Sequence, residues 1–216
     1  TDIAVTLQTA NTVRILLNSG NGTFVSGSST SVGADPRAIA VGDLDGDGDL
    51  DLVTSNRDGD SVSVLRNAGN ATFTATTIAP VNRPREIVIA ELTGDALLDL
   101  AVAVADDDQV RVFRNTGAAQ FVMHANLAIP GANSPEGLAA GDLDGNGSID
   151  LVASADNNNA ERIHVFFNTA GTFSGATTTP HAGLNTSSLT VGDFDVDGDL
   201  DVAAANTDSN HVTVLE

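Results

Sequence analysis

Asp43-Leu-Asp-Gly-Asp-Gly-Asp-Leu-Asp51 places carboxylates at alternate positions, Asp43, Asp45 and Asp47, and ends on Asp51, with glycines at 46 and 48. Like charges crowded in this way repel one another unless a cation sits among them. Side-chain oxygens from positions 1, 3, 5 and 9, with the backbone carbonyl of Asp49 at position 7, make an all-oxygen shell. Hard donors in that number suit Ca2+, which takes roughly 6–8 oxygens in flexible geometry. Gly48, at position 6, permits the sharp bend such a loop needs.

The stretch recurs. Asp142-Leu-Asp-Gly-Asn-Gly-Ser-Ile-Asp150 and Asp193-Phe-Asp-Val-Asp-Gly-Asp-Leu-Asp201 are close copies, and Glu91-Leu-Thr-Gly-Asp-Ala-Leu-Leu-Asp99 is a degenerate one. The loops begin at 43, 91, 142 and 193, so successive starts are 48, 51 and 51 residues apart. A period near 50 marks a repeat architecture.

Aligned on the loop, the flanks form a four-segment unit. An apolar segment precedes each loop: 38–41, 87–90, 137–140 and 188–191. Pro36, Pro84 and Pro135 lie seven residues before three of the loops, with Thr186 in that place before the fourth; a proline there opens a strand. The segments leaving the loops (50–54, 98–103, 149–153 and 200–204) are short and almost continuously apolar, the pattern of strands buried on both faces. A third segment alternates with period two at 62–64, 110–112, 163–165 and 212–214. A turn of the form Asn-x-Gly-x-x-x-Phe follows at Asn67/Phe73 and Asn115/Phe121, and one residue shorter at Asn168/Phe173. A Thr-rich fourth segment such as 73–78 completes the unit. Residues 2–24 match the unit from its second segment onward, and the last residues stop after a third segment. The array is then either cut from a longer one or completed at its ends by something else.

Four short antiparallel strands per repeat of this length describe a β-propeller blade. The expected fold is all-β: a β-propeller-like array of four-stranded antiparallel blades, about four to five in number, with eighteen strands. It forms one domain over 1–216, with partial repeat 1–34, repeats 35–81, 82–132 and 133–184, and partial repeat 185–216.

The composition narrows the function. The formal charge is −20, every cation is arginine, and no cysteine is present. A nucleic-acid footprint is missing, and thiolate metal sites and disulfides are excluded. No apolar run reaches the length of a membrane span and no signal peptide is visible, so membrane insertion is not expected. About four calcium ions would leave roughly −12.

The run from Ile39 to Val53, with its downstream alternating strand and Asn-x-Gly turn, resembles the FG-GAP/VCBS repeat. This is the calcium-binding blade of integrin α-subunit propellers and of many bacterial surface proteins. The resemblance implies a loop that joins the first two strands of each blade and binds Ca2+. The implied ligands are Asp43, Asp45, Asp47, the Asp49 carbonyl and Asp51 in the first loop. In the third they are Asp142, Asp144, Asn146, the Ser148 carbonyl and Asp150, and in the fourth Asp193, Asp195, Asp197, the Asp199 carbonyl and Asp201. The second loop departs from the pattern. Glu91, Thr93, Asp95, the Leu97 carbonyl and Asp99 would form a degenerate fourth site, and Ala96 at position 6 resists a positive φ. An EF-hand does not fit, because Thr54, Ala153 and Ala204 stand where its position-12 acid belongs and the flanks read as strands.

No catalytic constellation emerges. The histidines at 124, 164, 181 and 211 lack metal spacing, and His164 reads as a strand residue. Antiparallel order puts the loops at one end of each blade. At the other end it puts 56–60, 106–109, 156–161 and 207–210 with Arg37, Arg83, Arg85 and Glu136. By resemblance that second end is a recognition face. Asn21, Asn70, Asn146 and Asn185 head glycosylation sequons. The chain is therefore expected to be a non-catalytic, calcium-binding glycoprotein module, secreted or at a cell surface, for adhesion or recognition of a protein or glycan. Two alternatives stand beside this. One is a self-assembling extracellular filament or surface layer built from further copies by strand exchange. The other is an accessory glycan-binding propeller of a polysaccharide-active enzyme.

Overall fold

The computed structural model describes every residue except 130, 132, 157–161, 181, 182 and 184. His181 and most of the turn at 156–161 therefore lie outside the described residues. The described residues form five consecutive antiparallel sheets in sequence order, with a further two-stranded ladder beside the fourth. The first holds β1 (Ile3–Leu7), β2 (Thr12–Asn18) and β3 (Phe24–Ser31). The second holds β4 (Pro36–Gly42), β5 (Asp51–Asn56), β6 (Ser61–Asn67) and β7 (Phe73–Ile78). The third holds β8 (Pro84–Ala90), β9 (Asp99–Val104), β10 (Gln109–Asn115) and β11 (Phe121–Ala128).

The fourth sheet begins with β12 (Asn133–Gly141), β13 (Asp150–Asp156) and β14 (Arg162–Phe166). A small ladder of β15 (Asn168–Thr169) with β16 (Thr172–Phe173) follows, and β17 (Thr177–Pro180) completes the sheet. The fifth holds β18 (Thr186–Gly192), β19 (Asp201–Asn206) and β20 (His211–Leu215). Among the described residues only short 3-10 turns at Gln8–Ala10 and Ala105–Asp107 are helical, and neither is long and apolar enough to cross a membrane.

The twenty strands among the described residues are the expected eighteen with two of them split. Asn168 pairs with Phe173 just as Asn67 pairs with Phe73, but the turn between them is one residue shorter. The ladder therefore breaks at Phe167, and the third and fourth strands of that sheet each fall into two pieces. The prolines behave as expected in two sheets, where Pro36 and Pro84 open β4 and β8. Pro135 is the third residue of β12, and Thr186 opens β18.

The second strand of each four-stranded sheet has no solvent face. In β9, Leu100, Val102 and Val104 join a core with Leu44, Val53, Val62 and Val64 of the second sheet. The alternating Ala101 and Ala103 join the opposite core with Leu138, Leu151, Ala153 and Phe166 of the fourth. Burying each Val or Leu contributes about 1.5–3 kcal/mol. The alanines also set spacing, since small residues let the sheets approach. Similar cores unite the first sheet with the second around Val13, Ile15, Leu52 and Leu65, and the fourth with the fifth around Val152, Ile163, Leu189 and Val202.

Buried serines reconcile these cores with irregular first strands. The register of β4 on β5 shifts between Pro36 and Ile39. The amide of Ala38, left off the ladder, donates to Ser55 Oγ at 3.0 Å, and Ser55 Oγ donates to the Arg85 carbonyl of the next sheet at 2.6 Å. Ser154 does the same between Gly137 and Thr186, at 2.9 Å each.

Candidate metal centres

Each Asp-rich loop joins the first strand of a sheet to its second, and strands flank it on both sides. An EF-hand is excluded on those flanks as well as on position 12. Within the first loop, Asp43 caps the backbone with both oxygens, Oδ1 accepting from Gly46 N at 2.8 Å and Oδ2 from Gly48 N at 3.0 Å. Asp47 Oδ1 accepts from Asp49 N at 2.9 Å. Asp51, the first residue of β5, is fully buried; it accepts from Leu44 N at 3.0 Å and from Asn67 N at 2.7 Å.

The wiring repeats in the third loop. Asp142 accepts from Asn146 N at 3.0 Å and Gly147 N at 2.9 Å, and buried Asp150 accepts from Leu143 N at 2.8 Å and Asn168 N at 2.7 Å. In the fourth loop Asp193 accepts from Val196 N at 2.7 Å and Gly198 N at 3.1 Å, and Asp201 from Phe194 N at 2.9 Å.

These bonds turn the loops so that carboxylates converge. One oxygen from each of Asp43, Asp45 and Asp51 falls within 4.8 Å of the others; so do those of Glu91, Asp95 and Asp99, of Asp142, Asp144 and Asp150, and of Asp193, Asp195 and Asp197. Each group could hold a metal ion. Asp47, Asp49, Asp199 and Asp201 stand in the same loops but outside these tightest groups, as do the non-acidic Asn146, Ser148, Thr93 and Leu97.

Asp45 Oδ1 gives a direct indication of fit: it is buried and has no hydrogen-bond partner. The donors are all oxygen, which selects a hard cation. Burial, and then repulsion from Asp45 and Asp47, pushes the Asp51 carboxyl up, against the pull of its two backbone amides. Burial followed by Asp144 and Asp142 does the same at Asp150. A cation among these oxygens would relieve the repulsion.

The second loop differs in wiring as it does in sequence. Glu91 Oε1 accepts from both Gly94 N and Asp95 N. Ala96 takes the left-handed conformation (φ 66°) that Gly48 and Gly147 take without strain. Arg114, at the end of β10, donates through Nε to Asp95 Oδ2 at 2.8 Å, and this guanidinium holds the Asp95 carboxyl below the usual range.

Two roles escaped the sequence reading, which took the asparagines as turn residues alone. Asn67 and Asn115 end β6 and β10, Asn168 opens β15, and all three hold the position-9 carboxylates through their backbone amides. Their side-chain amides also cap the loops: Asn115 donates to Leu98 O at 3.1 Å and Asn168 to Ile149 O at 2.9 Å. Their recurrence in phase was the available signal. Arg66 and Arg114, each next to such an Asn, reach back to the loops. Nothing in their neighbours marks that reach.

The opposite end carries ion pairs. Arg57 meets Asp35 at 2.7 Å, Arg83 meets Asp106 at 3.3 Å, and Arg85 meets Glu136 at 3.3 Å. A cavity of about 190 Å³ there is lined by Arg37, Ala38, Arg85, Glu86, Glu136 and Ser187. His164 is fully buried in β14, and its burial lowers its pKa. Asn21, Asn70 and Asn185 are exposed.

A model of the FG-GAP-like repeat matches the chain four times, over residues 1–54, 43–102, 92–153 and 148–204. No curated protein matches it. Among solved structures, a putative 6-phosphogluconolactonase from Bacteroides uniformis is similar at TM-score 0.76 and 14% identity, over 99% of this chain and 63% of that one. BBS1N in complex with ARL6DN is similar at TM-score 0.64 and 19% identity, over 95% of this chain and 53% of that one. A catalytically inactive virginiamycin B lyase from Staphylococcus aureus is similar at TM-score 0.59 and 13% identity, over 99% and 66%. The chain thus spans about half to two thirds of these structures. At such identities the likeness concerns the fold alone.

Proposed function

The chain belongs to the FG-GAP-like repeat family, and on that basis we propose that it is a non-catalytic extracellular module that binds calcium and serves recognition at a cell surface. The observation that carries the reading is the convergence of carboxylates at the same place in successive sheets, with a buried, unpartnered Asp45 oxygen among them. Calcium would be held by Asp43, Asp45, Asp47, the Asp49 carbonyl and Asp51. In the third loop its ligands would be Asp142, Asp144, Asn146, the Ser148 carbonyl and Asp150. In the fourth they would be Asp193, Asp195, Asp197, the Asp199 carbonyl and Asp201. The ion supplies neutralisation and rigidity, binding the folded loops and not the unfolded chain.

Three features support the rest of the reading. The first is that loops this exposed suit the weaker calcium sites of extracellular modules, whose dissociation constants run to about 10⁻⁴–10⁻³ M. The second is that several loop carboxylates are held by backbone amides, and no histidine joins the acidic groups among the described residues, an arrangement that suits a cation better than proton transfer. The third is that the end away from the loops offers arginines and Glu136 around a cavity, polar groups able to orient a protein or glycan ligand.

Probing arrays of glycans and of extracellular proteins with the purified chain tests this. Capture in calcium that disappears in excess chelator, with every glycan left uncleaved, is the expected result. Cleavage of a glycan, or no capture under either condition, would overturn the reading.

A further inference from the structure

The four loops are not equivalent, and the second has a feature the third and fourth lack. In the first loop Asp47, at position 5, spends Oδ1 on the amide of Asp49. In the second loop Asp95 holds that position and spends Oδ1 on the amide of Leu97 at 3.1 Å. Its other oxygen is the one a metal ion would take, and there Arg114 Nε donates at 2.8 Å. The strand end beside the third loop carries Phe167 at the corresponding position, and that beside the fourth carries Glu216. We infer that Arg114 supplies the cation of the 91–99 loop from within the chain, so that this loop keeps its shape without metal. The inference rests on the calcium reading of the other three loops.

The remaining donors agree. Position 3 is Thr93, a neutral hydroxyl that helps Arg114 to favour the ionised form of Asp95. It brings no charge to draw an ion against the arginine. Glu91 is one methylene longer than aspartate and turns a single oxygen onto both Gly94 N and Asp95 N, where Asp43 and Asp142 divide their two oxygens between two turns of backbone. The loop holds three carboxylates (Glu91, Asp95 and Asp99), as the third does (Asp142, Asp144 and Asp150), but here the arginine already balances one of them; the first and fourth hold five each.

The first loop provides the contrast. Arg66 occupies the place of Arg114, yet its Nε stands 3.4 Å from Asp45 Oδ2, and the other Asp45 oxygen stays buried and unpartnered. Four further carboxylates surround it. One guanidinium leaves that site far from neutral, so it still calls for a metal ion.

The inference has a mechanical consequence. The arginine-held loop belongs to the third sheet, which packs against a core on each face. Calcium withdrawal then loosens the loops around it and leaves this sheet as an ordered centre.

Hydrogen exchange of the whole chain, in calcium and in excess chelator, tests this. Amides at 44–49, 143–148 and 194–199 are expected to exchange at least about tenfold faster in chelator, while those at 94–97 change by less than about twofold. Arg114→Gln is expected to strip protection from 94–97 in chelator, and Arg114→Lys, which keeps the charge, to retain most of it. Chelator sensitivity at 94–97 equal to that of the other loops would overturn the inference, as would an Arg114→Gln chain with unchanged protection there. If no loop responds to chelator, the calcium reading fails, and Arg114→Gln still decides the role of the arginine.

Discussion

Asn115 Nδ2 donates to the carbonyl of Leu44 at 2.7 Å, so the end of one sheet's third strand grips the acidic loop of the sheet before it. Asn168 repeats the grip on Leu92 at 3.0 Å. Each asparagine also caps its own loop and feeds its amide to its own position-9 aspartate, at 2.8 Å for Asn115 and 2.7 Å for Asn168. The loops at 43–51, 91–99 and 142–150 are therefore linked in series by buried hydrogen bonds.

That linkage predicts an unequal response to one substitution. Asn115→Ala removes three side-chain hydrogen bonds, to Leu44 O, to Leu98 O and from Gly117 N, each worth about 0.5–1.5 kcal/mol, and leaves Leu44 O with the Ala119 amide at 3.2 Å. A loss of about 2–4 kcal/mol is expected in urea titration at unchanged slope. Asn67→Ala, whose side chain donates to Leu50 O and accepts from Gly69 N on a partly exposed site, with no bond to the preceding sheet, is expected to lose about 1 kcal/mol.

Val196 has φ 67° and is 86% exposed, whereas the first three loops have glycine at its position, Gly46, Gly94 and Gly145. A β-branched residue is strained in that region, and no packing holds it there. Val196→Gly is expected to stabilise the chain by about 1 kcal/mol, a rise of roughly 2–4 °C in melting temperature. Calorimetry would show it, and a lower melting temperature would refute it.

His164 gives a pH dependence. Burial, with the nearby Arg162 adding to it, lowers its pKa below the ordinary 6.5. The neutral ring sits beside Thr178 Oγ1, 3.4 Å from Nδ1, while Nε2 is buried without a partner. A depressed folded value means that the stability it contributes is whole above 6.5 and is lost as pH falls through the folded value. Melting in saturating calcium is expected to drop between about pH 7.5 and about 5.5, and His164→Thr to flatten that slope. Equal slopes for the two chains would contradict it.

Calcium should also appear in bulk stability. A site filled at about one hundred times its dissociation constant adds about 2.7 kcal/mol. Excess chelator is expected to lower the melting temperature by at least roughly 5 °C, since for a chain of this size 1 kcal/mol corresponds to about 2–4 °C. An unchanged melt would mean that the loops hold themselves together without metal.

The sheets and the loops could be read from the sequence because each leaves a local periodic signal. Alternate aspartates repel unless they share a cation, and the strand that follows them is apolar on both sides because cores lie on both sides. Phe73–Ile78 emerges as a strand with the bounds expected for it. The seam in the fourth sheet was not readable, because one missing turn residue shifts where a ladder breaks, and that depends on pairing across the hairpin. Arg114 lies past the alternating segment at 110–112 and carries no signal of its own. Its contact with Asp95, 19 positions earlier, exists only once β9 and β10 lie side by side. The reach of Asn115 to Leu44, 71 positions away, depends in turn on how two sheets pack.

Anomalous diffraction from crystals grown in millimolar calcium examines the central claim at the atoms concerned. Discrete peaks about 2.3–2.6 Å from the carboxylate oxygens of Asp43, Asp142 and Asp193 are the predicted result. Loops at 43–51, 142–150 and 193–201 that carry only water under those conditions would contradict it.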